Sequence, residues 1–190
     1  IECAERGFPP YSRATLCPDA GAAGILGQAA SFDRRSYLTV SPAAGDDSLN
    51  LHQGNGHFTL SAWVYPRRND NAWRGLFGRE NLDHPERSYA ALYAKGSERR
   101  FKATFGNGTQ VCEVVSQANA LTRKSWQHVV ATFEGTNFRL YVNGKEVGSN
   151  AACAGTRPYR ADSFDIGRAG TDAHVTFESI EVRNEGDGVD

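Results

Sequence analysis

Between Trp126 and Val147 the chain reads as three extended runs joined by two turns, and this stretch limits the fold more than any other. In Phe138-Arg-Leu-Tyr-Val142 the apolar residues Phe138, Leu140 and Val142 alternate with Arg139 and Tyr141. That is the period of two expected of a strand with one face in a core. Asn143-Gly144 follows, and both central positions of a type I′ hairpin turn need positive φ, which Asn and Gly reach most cheaply. Trp126 to Phe133 supplies the preceding strand, with Glu134 to Asn137 as its turn, so the segment predicts an antiparallel meander.

The same punctuation recurs along the chain. Phe58 to Tyr65 alternates cleanly, with Phe58, Leu60, Ala62 and Val64 on one face and Thr59, Ser61, Trp63 and Tyr65 on the other, and Pro66 ends it. Further strands are expected at 24–33, 36–40, 74–79, 89–95, 100–105, 109–115, 163–167 and 174–183, with Arg34-Arg35 as a turn. No stretch keeps a helical period over three turns. About a dozen short strands in 190 residues predict an all-β chain of two packed antiparallel sheets. The expected organisation is a disulfide-tied lead-in over 1–23, one sandwich domain over 24–184 and a polar tail over 185–190.

Four cysteines form an even set. Sequence proximity alone favours Cys3–Cys17 and Cys112–Cys153 over the two other pairings, and each bridge would contribute roughly 3 to 4 kcal/mol by loop entropy. No Cys-x-x-Cys spacing supports a zinc site instead. With the absence of Met, a start at Ile1 and the acceptor sequence Asn107-Gly-Thr109, this predicts a processed, glycosylated chain, secreted or held at a cell surface. A net charge of −1 gives no reason to expect nucleic acid as a partner, and no apolar run is long enough to span a membrane.

Phe58-Thr-Leu-Ser-Ala-Trp-Val-Tyr-Pro66, Trp126-Gln-His-Val, Leu140-Tyr-Val-Asn-Gly-Lys145, Phe164-Asp-Ile-Gly167 and Glu181-Val-Arg-Asn184 follow in an order and spacing that resemble laminin G-like domains of the concanavalin A-like jelly-roll superfamily. The resemblance implies a two-sheet jelly roll. It also implies a Ca²⁺ site, with Asp33, Glu181 and Asp172 as the candidate ligands, although Ile180 stands where the family's last strand often carries Asp. Adhesion modules, lectins and enzymes share this scaffold, so function must be argued from the site.

Retaining glycosidases need two carboxylates about 5 Å apart on one strand face. Glu80-Asn-Leu-Asp83-His-Pro-Glu86 has the wrong parity and a Pro within it, and reads as a solvated loop. Gln127 and His128 face opposite ways, so they do not make a lyase pair, and His128 reads as a packed strand residue. Trp63 and Tyr65 point away from the apolar face of their strand and read as covered by a loop. Trp73, beside Asn71, Asp70 and Arg74, is the better exposed contact, since polar groups around an indole suit a sugar's hydroxyls. Arg67-Arg68, Arg74, Arg79 and Arg99-Arg100 with Lys102 are suited to sulfate or carboxylate if the fold gathers them, but the net charge favours an ordinary mixed surface.

The expected function is therefore non-catalytic recognition of a glycan or an extracellular protein through sandwich loops. A glycan lyase or hydrolase is the alternative from a second class. A self-assembling subunit of an extracellular filament or coat is the third.

Overall fold

The computed structural model describes residues 2–3, 19–25, 27–32, 37–41, 50–51, 55–81, 83–159, 164–167, 169 and 180–181; for Glu2, Cys3, Asp19, Ala20, Ile180 and Glu181 it describes the backbone alone. Its strands in chain order are β1 (Glu2–Cys3), β2 (Asp19–Gly24), β3 (Gly27–Ser31), β4 (Leu38–Val40), β5 (Phe58–Val64), β6 (Arg74–Gly78) and β7 (Ala91–Lys95), then β8 (Arg100–Gly106), β9 (Val111–Val115), β10 (Gln127–Phe133), β11 (Phe138–Val142), β12 (Lys145–Asn150), β13 (Phe164–Ile166) and β14 (Ile180–Glu181). A single 3-10 turn, Pro85–Arg87, is the one helical element among the described residues.

Two seven-stranded antiparallel sheets result. The first runs β1-β4-β13-β6-β7-β8-β9 and the second β12-β11-β10-β5-β14-β3-β2. The predicted meander β10-β11-β12 forms one end of the second sheet, with Ala131 opposite both Leu140 of β11 and Leu60 of β5. Asn143 and Gly144 adopt φ of 50° and 78°, as the tight turn between β11 and β12 demands.

Period-two alternation decides which side chains meet between the sheets. Phe58, Phe133 and Phe138 from the second sheet enclose Phe105 from the first, at ring-centroid distances of 5.6, 4.8 and 5.1 Å. Each such pair contributes about 0.5–1.5 kcal/mol beyond its area burial. Val64, Leu92, Val129 and Leu140 extend this core with no exposed surface.

The sheets close on each other along one side. β9 and β12 end their sheets, and the Gln117 N–H donates to the Val147 carbonyl at 2.8 Å while Asn150 Nδ2 donates to the Glu113 carbonyl at 2.6 Å. Gly148 is required there, because a Cβ would stand 2.6 Å from the Val115 oxygen. The predicted Cys112–Cys153 disulfide spans this seam. Cys17 lies outside the described residues.

Three expectations change. Residues 1–23 are not wholly irregular: Glu2–Cys3 pairs with β4, and Asp19–Gly24 pairs with β3, so strand pairing begins before Gly24. The run 24–33 is not one strand, because the chain reverses after Gly24 and Gly27 takes φ of 118°, a value that favours glycine. Of the strand expected at 174–183 only Ile180–Glu181 is described, inserted between β5 and β3. Arg34-Arg35 and the tail 185–190 lie outside the described residues.

Candidate functional site

The outer face of the first sheet carries a cluster that the main core does not use. Along β7, Leu92 and Ala94 turn inward to the core, so Ala91, Tyr93 and Lys95 turn outward. Ala91 and Tyr93 are nevertheless buried, because Trp73 and Ala169 pack over them. Gly75 makes this possible, since a Cβ there would lie 2.3 Å from that of Ala169.

Trp73 immediately precedes β6, and its ring is half-buried among cations. Lys102 Nζ lies 5.1 Å from the Trp73 ring centroid and 4.8 Å from that of Tyr93, while Lys95 Nζ lies 6.0 Å from Trp73. Ammonium groups at these distances are attracted by the negative ring face. Lys102 opposes Tyr93 directly across β7 and β8, which is why one lysine reaches both rings. Its charge is met by Glu113 at 3.2 Å, and Lys95 is met by Glu98.

Beneath the indole, the Tyr93 hydroxyl donates to Glu80 Oε2 at 2.8 Å. Burial, reinforced by the Glu80 carboxylate, raises the Tyr93 hydroxyl well above the ordinary phenol range. A phenol held protonated is a poor general base; this pair fixes a ring and a carboxylate in place. At the rim, the hydrogen bond from Lys95 holds the Glu98 carboxyl below its usual range.

The loop before Trp73 is fastened to the turn between β7 and β8. The Ser97 N–H donates to the Asp70 carbonyl and Ser97 Oγ donates to Asn71 Oδ1, both at 3.0 Å. Gly96 sits so close to the Arg68 carbonyl that a Cβ would approach its oxygen to 2.3 Å. Arg74 and Asp70 form an ion pair at 3.2 Å. Of the four predicted contact residues, Trp73 and Arg74 border the cluster, whereas Asp70 and Asn71 tie the loop to its neighbour. Trp73 itself is half-buried, because the sheet beneath it and the lysines beside it take up much of its surface.

Glu80 is not simply solvated, since it is half-buried against Tyr93. Trp63 and Tyr65 are half-buried on the outer face of the second sheet, where Trp63 stacks on His128 at 5.0 Å and Tyr65 meets Trp126 edge-on at 5.5 Å. His128 is a packed strand residue whose Nε2 and Ser61 Oγ are 2.7 Å apart. Gln127 faces inward, accepting from the Thr122 N–H and donating to the Ala120 carbonyl. Asn107 lies in a turn, its Oδ1 accepting from the Thr109 and Gln110 N–H groups and its Nδ2 directed at Cys112 Sγ. Asp33 and Asp172 lie outside the described residues and Glu181 is described by its backbone; no group of three potential metal ligands occurs among the described residues.

Sequence reading missed Tyr93, Lys95 and Glu113, and it grouped Lys102 with the basic residues and not with Trp73. The available signal was parity: Tyr93 and Lys95 share a face of β7, but the register that brings Lys102 opposite Tyr93 is set by the hairpin turn.

With the two-sheet frame in place, the laminin G family model of the concanavalin A-like lectin/glucanases superfamily matches residues 35–183. The chain belongs to this family. Similar solved structures include the binding domain of the Paraclostridial Mosquitocidal Protein 1 (TM-score 0.66, 14% identity, 87% of this chain and 42% of that one) and domains LG4-5 of the mouse laminin alpha1 chain (0.60, 15%, 90% and 44%). The CBM40 of the Ruminococcus gnavus IT-sialidase, solved with alpha2,3 sialyllactose, is also similar (0.55, 18%, 67% and 74%). At these identities the likeness establishes the jelly-roll fold, and this laminin G-like chain spans under half of the first two structures. No curated protein matches the chain by sequence.

Proposed function

We propose that this chain is an extracellular recognition module that binds a glycan without chemical turnover, through the outer face of its first sheet around Trp73. One observation carries the reading: an indole held by a fastened loop stands at the surface beside Lys95 and Lys102, with the Tyr93–Glu80 pair beneath it. A ring face, ammonium donors and carboxylate acceptors together match a pyranose, which offers an apolar C–H face and a rim of hydroxyls. The fastening matters because a loop already in place loses less entropy on binding.

The similar structures support the reading by kind, since they include a toxin's binding domain and a carbohydrate-binding module. The cysteine bond and the family favour an extracellular setting. A calcium ion held by Asp33, Glu181 and Asp172 remains part of the proposal. A glycan array probed with the chain, with and without chelator, tests partner and ion together. Retention of a saccharide by the unaltered chain and its loss in Trp73→Ala would support the reading; release of sugars from a polysaccharide panel would replace it with the enzymatic one.

A further inference from the structure

The loop 116–126 carries the chain from β9 in the first sheet to β10 in the second, and it is anchored on both sides of its tip. Leu121 is buried, and its N–H donates to the Arg99 carbonyl at 2.9 Å. Gln127, at the start of β10, accepts from the Thr122 N–H at 2.6 Å and donates to the Ala120 carbonyl at 3.0 Å. Between these anchors Thr122, Arg123, Lys124 and Ser125 are all exposed.

The tip is held lightly. Its Lys124 N–H donates to the Pro66 carbonyl at 2.7 Å, while Lys124 itself adopts φ of 56°, a left-handed conformation that a residue with a side chain adopts at a cost. An endoprotease takes its substrate as an extended segment paired along the backbone. Extending this tip gives up the bond to Pro66 and at the same time releases the turn at 124. The open form is therefore cheap, and cleavage of a folded chain follows the population of such local openings.

Other exposed cations are less free. The bond after Arg99 leads into Arg100, which is paired with Lys95 across β7 and β8, and Lys145 is paired with Val142 at the start of β12. The Arg68 carbonyl is pressed against Gly96, where a Cβ would stand 2.3 Å from its oxygen. Arg123-Lys124 is a basic pair that can be drawn out without opening a strand.

The disulfide decides what a cut would leave. Cys112 precedes the tip and Cys153 follows it, so the pieces 1–124 and 125–190 stay covalently joined. They also share one sheet, because β10 pairs with β5 from Gln127 opposite Val64 to Phe133 opposite Phe58, with Val129, Ala131 and Phe133 buried.

We infer that Arg123-Lys124 is a processing site for a trypsin-like endoprotease, and that cleavage there gives a folded two-chain form held by Cys112–Cys153. The step is hydrolysis of the Lys124–Ser125 peptide bond. Water supplies the hydroxyl of a new Lys124 carboxyl group, and the Ser125 nitrogen leaves as an amine, close to Pro66 at the base of the loop that carries Trp73. A basic side chain before the broken bond suits the acidic specificity pocket of such an enzyme. Saccharide binding is not required for this reading.

The test exposes the full, disulfide-bonded chain to limiting trypsin and, separately, to a dibasic-specific endoprotease. New amino termini are labelled and identified by mass spectrometry over time, and near-ultraviolet circular dichroism follows the fold. The expected result is a terminus at Ser125, or at Lys124 by a cut one bond earlier, that appears before any at Asn69, Arg100 or Glu146. That product should keep its folded signal, and its two pieces should separate only on denaturing reduction. The double variant Arg123→Gln/Lys124→Gln should melt with the unaltered chain and yield no two-chain product. Earlier termini at Asn69, Arg100 or Glu146 would overturn the inference, as would cleavage at Ser125 only near the melting temperature or loss of the folded signal on that cut. A lowered melting temperature in the double variant would overturn it too, by showing that the two cations hold the tip in place.

Discussion

Cys112 and Cys153 join the outermost strand of one sheet to the turn that leaves the outermost strand of the other, with their Cα atoms 5.8 Å apart. The bond closes a loop of 41 residues, for which chain entropy gives a stabilisation of about 4 kcal/mol. The double variant Cys112→Ala/Cys153→Ala should lose about that much in urea unfolding. Because both residues are buried, a mild reductant should leave the folded chain's bond intact. A loss below about 1 kcal/mol would mean that the seam of hydrogen bonds between β9 and β12 closes the sandwich without help.

Gly96 controls the approach of the Trp73 loop. A methyl group there would meet the Arg68 carbonyl, a backbone atom that cannot simply rotate away. Gly96→Ala should therefore cost about 1–3 kcal/mol and weaken saccharide binding, since the loop must lift from the turn it is fastened to. Thermal melting and titration with an array hit check both effects. Unchanged binding would separate the loop's position from recognition.

Tyr93 gives the chain an alkaline limit. Its folded pKa is raised above the ordinary value of 10.0, so above about pH 10 the unfolded chain ionises while the folded chain keeps its proton. The stability is fully present below pH 10 and falls as pH rises, by about 1.4 kcal/mol per pH unit for one proton. Tyr89, also raised by burial, acts in the same direction. Tyr93→Phe should make the decline between pH 10 and 11.5 shallower by about one proton, read from urea unfolding across that range.

The parts of the fold that are written locally are legible in the sequence. Alternation in Phe58–Val64 and Phe138–Val142 identifies strands and their buried faces, and Asn143-Gly144 identifies the turn, because both signals lie within a few residues. β2 escapes notice because Gly and Ala carry little strand preference, and β1 because two residues show no period. β7 hides its period for another reason: Ala91 to Ala94 are all buried, the outer pair by Trp73 and Ala169. The site is least legible. Trp73, Tyr93 and Lys102 come from separate strands or their edges, and only the register places one ammonium over both rings. Arg67-Arg68, Arg74 and Arg99-Arg100 with Lys102 are legible as a basic set, but their sequence positions do not show that the loop before Trp73 touches the turn between β7 and β8.

The account depends most on Trp73 being the contact for a saccharide, and an array comparing the unaltered chain with Trp73→Ala tests this directly. A Trp73→Ala chain that remains folded should lose at least tenfold in affinity for each saccharide the unaltered chain retains, a loss of about 1.4 kcal/mol or more. Equal retention by a folded Trp73→Ala chain would contradict the account and move the site away from the first sheet's outer face.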